Sequence, residues 1–476
     1  MAAVKVETRA GATSRAERIV GLAVPSIGDI LFISLFFGVL FGLQGRVLGY
    51  DGDSAWNLRI GTHVLDHGLP RAEFMLSTTY GHPTIYWEWL SQVIYALGLR
   101  LGGLNGVVTV AAALVAATGV SLFAILRRRG VPLLAAVGLA LLGIGLTSIT
   151  WTARAQLFSL LFTVWWTEWI WRYWRDGNPR RLWAFPLAMA VWVNLHGGFL
   201  GGLILLGTAA AVAWLFHQRR GQANPRHLTL ALAGSLAATL VNPWGIGLDL
   251  HILAFFANPL IARYTQEYQS PDFHSLSALL FLALALLLAG LWIWRGRGGV
   301  GAVADGPEPL AVAQAGVWTA LACYSVRFLP LWSLNVTPIL ADALLVWWRA
   351  QRSTGEQALT TGAPILTRAA RSARSAAEGA GGLSRRLAGT DSLVGKGIWS
   401  ALAILCVLVL LRGGGALPGS STRLLDARYD AHVFPVQAAQ RLHELGLPPG
   451  RGFTTFDWGG YLDYALPEYH VYIDSR

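Results

Sequence analysis

The stretch LNGVVTVAAALVAATGVSLFAILRRR, residues 104–129, decides the fold. It holds no charged side chain until it meets Arg127, Arg128 and Arg129 in succession. A bilayer core of roughly 30 Å is crossed by about 20 apolar residues in a helix. Lys and Arg collect where such a helix meets the cytoplasm. Residues 104–126 therefore read as a membrane span whose Arg end faces inward.

The same reading extends along the chain. About eleven apolar stretches are long enough to serve as spans, several only if tilted or kinked: 27–43, 104–126, 131–149, 156–170, 182–193, 199–216, 228–241, 275–294, 310–324, 329–347 and 397–411. Most of the 37 Lys and Arg fall in the N-terminal tail, at 127–129, 172–181, 219–226 and 295–297, and in 349–396. The opposite span ends carry Asp, Glu, His, Asn and isolated Arg. With the N-terminus cytoplasmic, eleven spans place the C-terminus outside.

Composition agrees, with 54% hydrophobic residues, 13% charged and 21 Trp, far from soluble averages. The fold class expected is all-α: a polytopic membrane protein of about eleven transmembrane helices, with interfacial helices in the first outer loop and a small outer C-terminal segment. The net charge of +11 is a topology signal and does not point to nucleic acid; the inner Arg rows can touch anionic membrane lipids. The two cysteines, Cys323 and Cys406, offer no metal or redox spacing and read as apolar packing residues. Trp165, Trp166, Trp169, Trp171 and Trp174 read as an inner interfacial belt. High Gly, Ala and Arg content suggests a GC-rich bacterial genome, hence a bacterial inner membrane.

Five segments follow: a cytoplasmic tail, 1–26, without a cleavable signal; a ten-span core, 27–348; a basic Ala/Gly/Ser-rich cytoplasmic linker, 349–396; the last span, 397–411; and an outer segment, 412–476. The first outer loop, 49–103, is the richest in chemistry. It opens with Asp51-Gly-Asp53, continues as an amphipathic helix over 54–65 that Gly68-Leu-Pro70 breaks, and reaches a second such helix starting near Ile85, with Glu88 at its start.

In order, Asp51-x-Asp53-x-x-Trp56-x-Leu58-Arg59-x-Gly61, Trp87-Glu88-Trp89-Leu90, Arg154-x-Gln156, Trp192-x-Asn194-x-His196-Gly197-Gly198, Asn242-Pro243-x-Gly245, Glu267-x-Gln269-Ser270-Pro271, Asp457-Trp458-Gly459-Gly460-Tyr461 and Ile473-Asp474-x-Arg476 resemble the outer elements of bacterial C-type membrane glycosyltransferases. These are multi-pass enzymes similar to protein O-mannosyltransferases and to the aminoarabinose transferases of lipid A. Many relatives have His where this chain has Asn57, Pro where it has Ala155, and a longer outer domain after residue 476. The tail is therefore either truncated or that of a member without such a domain.

The resemblance implies transfer of a sugar from a polyprenyl phosphate to a lipid, glycan or protein acceptor on the outer face, with inversion. Asp53, then Asp51, is expected as general base, with Glu88 positioning the base or the acceptor. Arg154, Arg327 and His196 are expected to hold the donor phosphate. Gln156, Asn194, Glu267, Trp458 and Tyr461 are expected at the substrates. Asp51 and Asp53 could share a divalent cation, Mg or Mn, or one of them could cap the helix that follows. Arg154 and Arg327 could instead be held in structural ion pairs. Two readings of other classes stand beside this one: a transporter or flippase of lipid-linked substrates, which would place its ionisable groups nearer the bilayer midplane, and a non-catalytic scaffold of envelope assembly, which would tolerate loss of Asp53.

Overall fold

The computed structural model describes residues 24–49, 52–220, 223–297, 306–361, 379, 381–389, 391, 397–416, 423–446 and 448–475. Asp51, Arg476, nearly all of the N-terminal tail and half of the basic linker lie outside the described residues. The described chain is mostly helical. Helix α1, Ile27–Gly42, starts at a capping box in which Ser26 and Asp29 satisfy each other's backbone N–H groups. The short α2, Gln44–Leu48, leads to α3, Asp53–His67, and then to α4, Trp89–Arg128. The succeeding helices are α5, Leu133–Leu146; α6, Gln156–Asp176; α7, Ala184–Leu195; α8, Phe199–Arg220; and α9, Pro225–Ala238. After α10, Ile246–Ala257, and α11, Pro259–Tyr264, come α12, Leu276–Gly296, α13, Pro309–Tyr324, and α14, Leu329–Thr361. Helix α15, Ile398–Arg412, precedes the C-terminal segment. That segment holds α16, Val436–Leu445, and α17, Phe456–Ala465, beside a two-stranded parallel pair, β1 Arg451–Gly452 and β2 His470–Val471.

Most of the length of each of the eleven apolar stretches is helical. Five segments, Trp89–Arg128, Leu133–Thr150, Phe199–Phe216, Leu276–Gly296 and Val326–Gln351, are long and apolar enough to cross a membrane, and α1, α10 and α15 are shorter apolar helices. Asp29 also accepts hydrogen bonds from the Gly397 and Ser400 backbone N–H groups and from the Ser400 hydroxyl. One carboxylate thus serves the N-terminal ends of α1 and α15 and sets those two ends side by side.

The segment between the first two apolar stretches differs in detail from the sequence reading. Helix α3 begins one residue earlier than expected, at Asp53. The second helix begins at Trp89 and not near Ile85, because the Trp89 N–H turns back onto the Tyr86 carbonyl and delays the first helical turn. It then continues into the expected second span through a kink at Gly102 and Gly103, where Gly103 has φ +59°. A Cβ at Gly61 of α3 would overlap the Gln92 carbonyl of α4, so glycine is what lets these two helices approach.

Two hydrophobic cores follow. One surrounds α1 and the span of α4 and takes in Tyr429, Phe434 and Tyr461 from the C-terminal segment. The other is built on Trp166, Trp192, Trp318 and Trp332, all fully buried. The expected Trp belt is thereby corrected: Trp166 and Trp171 are core residues, since successive aromatics on one helix point in different directions. Cys323 and Cys406 are unpaired thiols on exposed helix faces, not buried packing residues. At the Arg-rich end of α4, Arg128 pairs with Glu168, and Arg129 pairs with Asp342 at 2.5 Å while lying over the Trp171 ring.

Candidate active site

Asp53 is the first residue of α3, preceded by Gly52 at φ +74°. No side-chain cap forms at this helix end, so the Asp53 carboxylate is available to other groups. Its Oδ2 receives the Arg154 guanidinium at 2.8 Å. Its Oδ1 accepts the Trp56 indole N–H at 3.2 Å and the Ser475 hydroxyl. Behind it, the Asn57 amide donates to the Asp53 carbonyl at 2.8 Å and accepts from the Gln92 amide at 2.8 Å, which joins α3 to α4.

Arg154 lies between a short 3-10 turn and α6, nearly buried, with its carbonyl bonded by the Tyr95 hydroxyl. Its second contact is Glu267 Oε1 at 3.0 Å. The other Glu267 oxygen receives Arg327 at 3.1 Å, and Arg327 also donates to the Tyr268 hydroxyl at 2.8 Å and lies over that ring. The Glu267 loop is pinned by the Ser325 hydroxyl on its carbonyl and by Val326 N–H on the Gln269 carbonyl. The result is an alternating row, Asp53, Arg154, Glu267, Arg327, in which every charge faces its opposite. Burial, with the nearby Glu267 and Asp474 carboxylates adding to it, drives the Asp53 carboxyl up to about 7, against the pull of the Ser475 and Trp56 hydrogen bonds; the Arg154 ion pair favours its charged form.

Glu88 sits one residue before α4, half-buried, with Oε1 3.5 Å from His196 Nε2. The tautomer of His196 follows from its partners. Gly198 N–H donates to Nδ1 at 3.0 Å, so that nitrogen is an acceptor. The Ser159 hydroxyl therefore also donates to Nδ1, at 2.7 Å, and itself accepts the Trp192 indole N–H at 2.7 Å. The imidazole proton is left on Nε2, facing Glu88. Burial pushes His196 down to about 3, keeping it neutral, and pushes Glu88 up to about 7.

A stability test follows. A carboxyl that titrates at about 7 when folded, against 4.5 when free, binds its proton more tightly in the folded state. Its contribution to stability therefore falls as pH rises from 4.5 to 7. Glu88→Gln removes that dependence, so the variant should gain on wild type by roughly 3 kcal/mol over the window. Thermal unfolding in lipid at both ends of the window measures this, and a pH-independent difference would show that Glu88 stays ionised throughout.

The remaining expected residues are more dispersed. Asn194 accepts from Trp89 Nε1 at 2.9 Å and donates to the Ala190 and Val241 carbonyls, so it acts as a joint between helices. Gln156, at the start of α6, reaches the Thr152 hydroxyl at 3.5 Å. Tyr461 is buried against Phe434 and Tyr429 of the same segment, within the core that surrounds α1 and α4. Trp458 is partly exposed and donates to the Val433 carbonyl at 2.8 Å.

For a divalent cation, both oxygens of Asp53 are engaged by donors, and among the described residues no three His, Cys, Asp or Glu side chains come together as a metal site. The expected cation site pairs Asp53 with Asp51, which lies outside the described residues. Sequence reading did not identify Ser475, Tyr268 or Ser159; each joins the site through a long-range contact with no local signature.

No protein-family model matches the chain, and no curated protein matches it. Among solved structures, the apo oligosaccharyltransferase of Archaeoglobus fulgidus aligns over 97% of this chain and 65% of its own, with 12% identity and a TM-score of 0.51. The same enzyme tethered by a disulfide to an acceptor peptide containing the NVT sequon aligns with 14% identity and a TM-score of 0.49, over 97% of this chain and 64% of its own. Archaeal AglB from that organism, in complex with an inhibitory peptide and a dolichol-phosphate, aligns with 13% identity and a TM-score of 0.47, over 96% and 64%. The chain spans 65% of the length of the apo enzyme, and the likeness is one of fold.

Proposed function

We propose that this protein is a membrane glycosyltransferase that moves a sugar from a polyprenyl-phosphate donor to an acceptor at the outer face, with inversion and with Asp53 as general base. The carrying observation is the row Asp53, Arg154, Glu267, Arg327, which sets a carboxylate beside two guanidinium groups. In such a transfer the acceptor oxygen attacks the anomeric carbon, its proton passes to the carboxylate, and the sugar–phosphate bond breaks. The phosphate is a competent leaving group, so the site has to stabilise growing negative charge and needs no strong acid. Two arginines close together suit that task, since a guanidinium meets phosphate oxygens with paired hydrogen bonds.

Glu267 now engages both arginines, and a bound phosphate would compete with it for them. The sugar, the polyprenol and the acceptor belong to the same proposal, with glycan, lipid and protein acceptors all in view. So do the bacterial inner membrane and the outward C-terminus. A panel of radiolabelled polyprenyl-phosphate sugars, incubated with purified protein in lipid, tests the reading: release or transfer of label from one donor is expected. Consumption of none, with a range of acceptors supplied, would overturn it. A chelator arm tests the divalent cation.

A further inference from the structure

The end of the described chain returns to the first outer loop. Strand β2 pairs on one side with β1 and on the other meets the loop before α4: the Ser77 N–H and hydroxyl donate to the Val471 carbonyl at 2.8 and 3.1 Å, and the Thr78 hydroxyl to the Tyr472 carbonyl at 3.1 Å. His470 Nδ1 lies 3.1 Å from the Met75 carbonyl. The strap 470–475 is thus held along both edges, and its last described residue delivers the Ser475 hydroxyl to Asp53 Oδ1 and within 3.2 Å of the Trp56 indole nitrogen.

Glycines make the approach possible. A Cβ on Gly459 would overlap the Ile473 carbonyl, one on Gly460 would stand 2.7 Å from the Gly52 carbonyl oxygen, and one on Gly52 would stand 2.9 Å from the Asp457 carbonyl. Helix α17 therefore lies backbone to backbone against both the residue before Asp53 and the strap that carries Ser475. Two segments more than 400 residues apart are fixed to each other at the carboxylate.

We propose that Ser475, carried on this strap, is a positioning residue for the transfer reaction: its hydroxyl fixes the plane of the Asp53 carboxylate opposite Arg154. With Ser475 and Trp56 on Oδ1 and Arg154 on Oδ2, both oxygens are fixed. An incoming acceptor hydroxyl then meets an oxygen already oriented toward a hydroxyl donor. The reaction named rests on the glycosyl-transfer reading; the placement of the strap does not.

Ser475→Ala is expected to lower kcat for donor turnover about tenfold or more with donor KM little changed, and Ser475→Thr, which keeps the hydroxyl, to recover most of the loss. Wild-type kcat in the Ala variant would overturn the proposal, as would a Thr variant as impaired as Ala. Placement is tested without any donor. In a background with Cys323 and Cys406 replaced by Ser, an Asp53→Cys, Ser475→Cys pair should crosslink under mild oxidation and each single variant should not. Absence of the crosslink overturns the placement. A crosslink combined with no donor consumption by wild type leaves the strap where it is and refutes its part in glycosyl transfer.

Discussion

Asp53→Asn is expected to lower sugar transfer by roughly 10²- to 10⁴-fold while leaving the protein folded. Asn keeps the shape and one carbonyl oxygen, so the Ser475 and Trp56 donors retain an acceptor and Arg154 retains Glu267. What Asn lacks is the capacity to take the acceptor's proton. The wild-type rate should also carry the signature of this group. Asp53 is pushed toward about 7 by burial, and only its ionised form accepts a proton. Turnover should therefore be low at acid pH, rise as pH passes through about 7, and level off above.

Glu88 is pushed into the same range, so the profile alone does not separate them. Glu88→Gln does. If Asp53 is the base, the rise near 7 persists in that variant, and initial rates across a pH series measure it. Unchanged turnover in Asp53→Asn would move the base to Glu267 or Glu88.

The sequence carried the helices because their signal is local and repeated: apolar runs closed by Arg on one side state both the element and its direction, as residues 104–129 do. It also carried the charged members of the site. Asp53, Arg154, Glu267 and Arg327 are ionisable residues at span ends, where a charge needs a reason to be present. What it could not carry was who faces whom. Arg154 was expected on a phosphate, with a structural ion pair as the other reading, and the structure finds it between Asp53 and Glu267.

Ser475 shows the limit most clearly. A serine has no span-end signature, and its partner lies 422 residues away. The glycine pair Gly459-Gly460 permits the close backbone approach that the structure shows, but a glycine carries no mark of its partner. The tautomer of His196 is of the same kind, being fixed by Gly198, Ser159 and Trp192 together.

Arg154→Gln should lower kcat/KM for the donor by roughly 10²- to 10³-fold. Arg154→Lys should recover little of it, because one ammonium cannot reproduce the fork that serves Asp53 through one nitrogen and Glu267 through the other. Loss of activity by itself would not say what the arginine is for. Removing a nearly buried guanidinium leaves two carboxylates facing each other, and that repulsion alone could distort the site. The double variant Arg154→Gln, Glu267→Gln separates the two roles by removing one charge of each sign. If Arg154 serves only to neutralise Glu267, the pair of changes restores transfer and thermal stability together. If it holds the charge that develops on the leaving phosphate, stability returns while transfer stays low, because nothing at that position then stabilises the departing oxygen. Recovery of both would leave Arg327 alone to meet the phosphate, and Arg327→Gln would then have to show the larger defect.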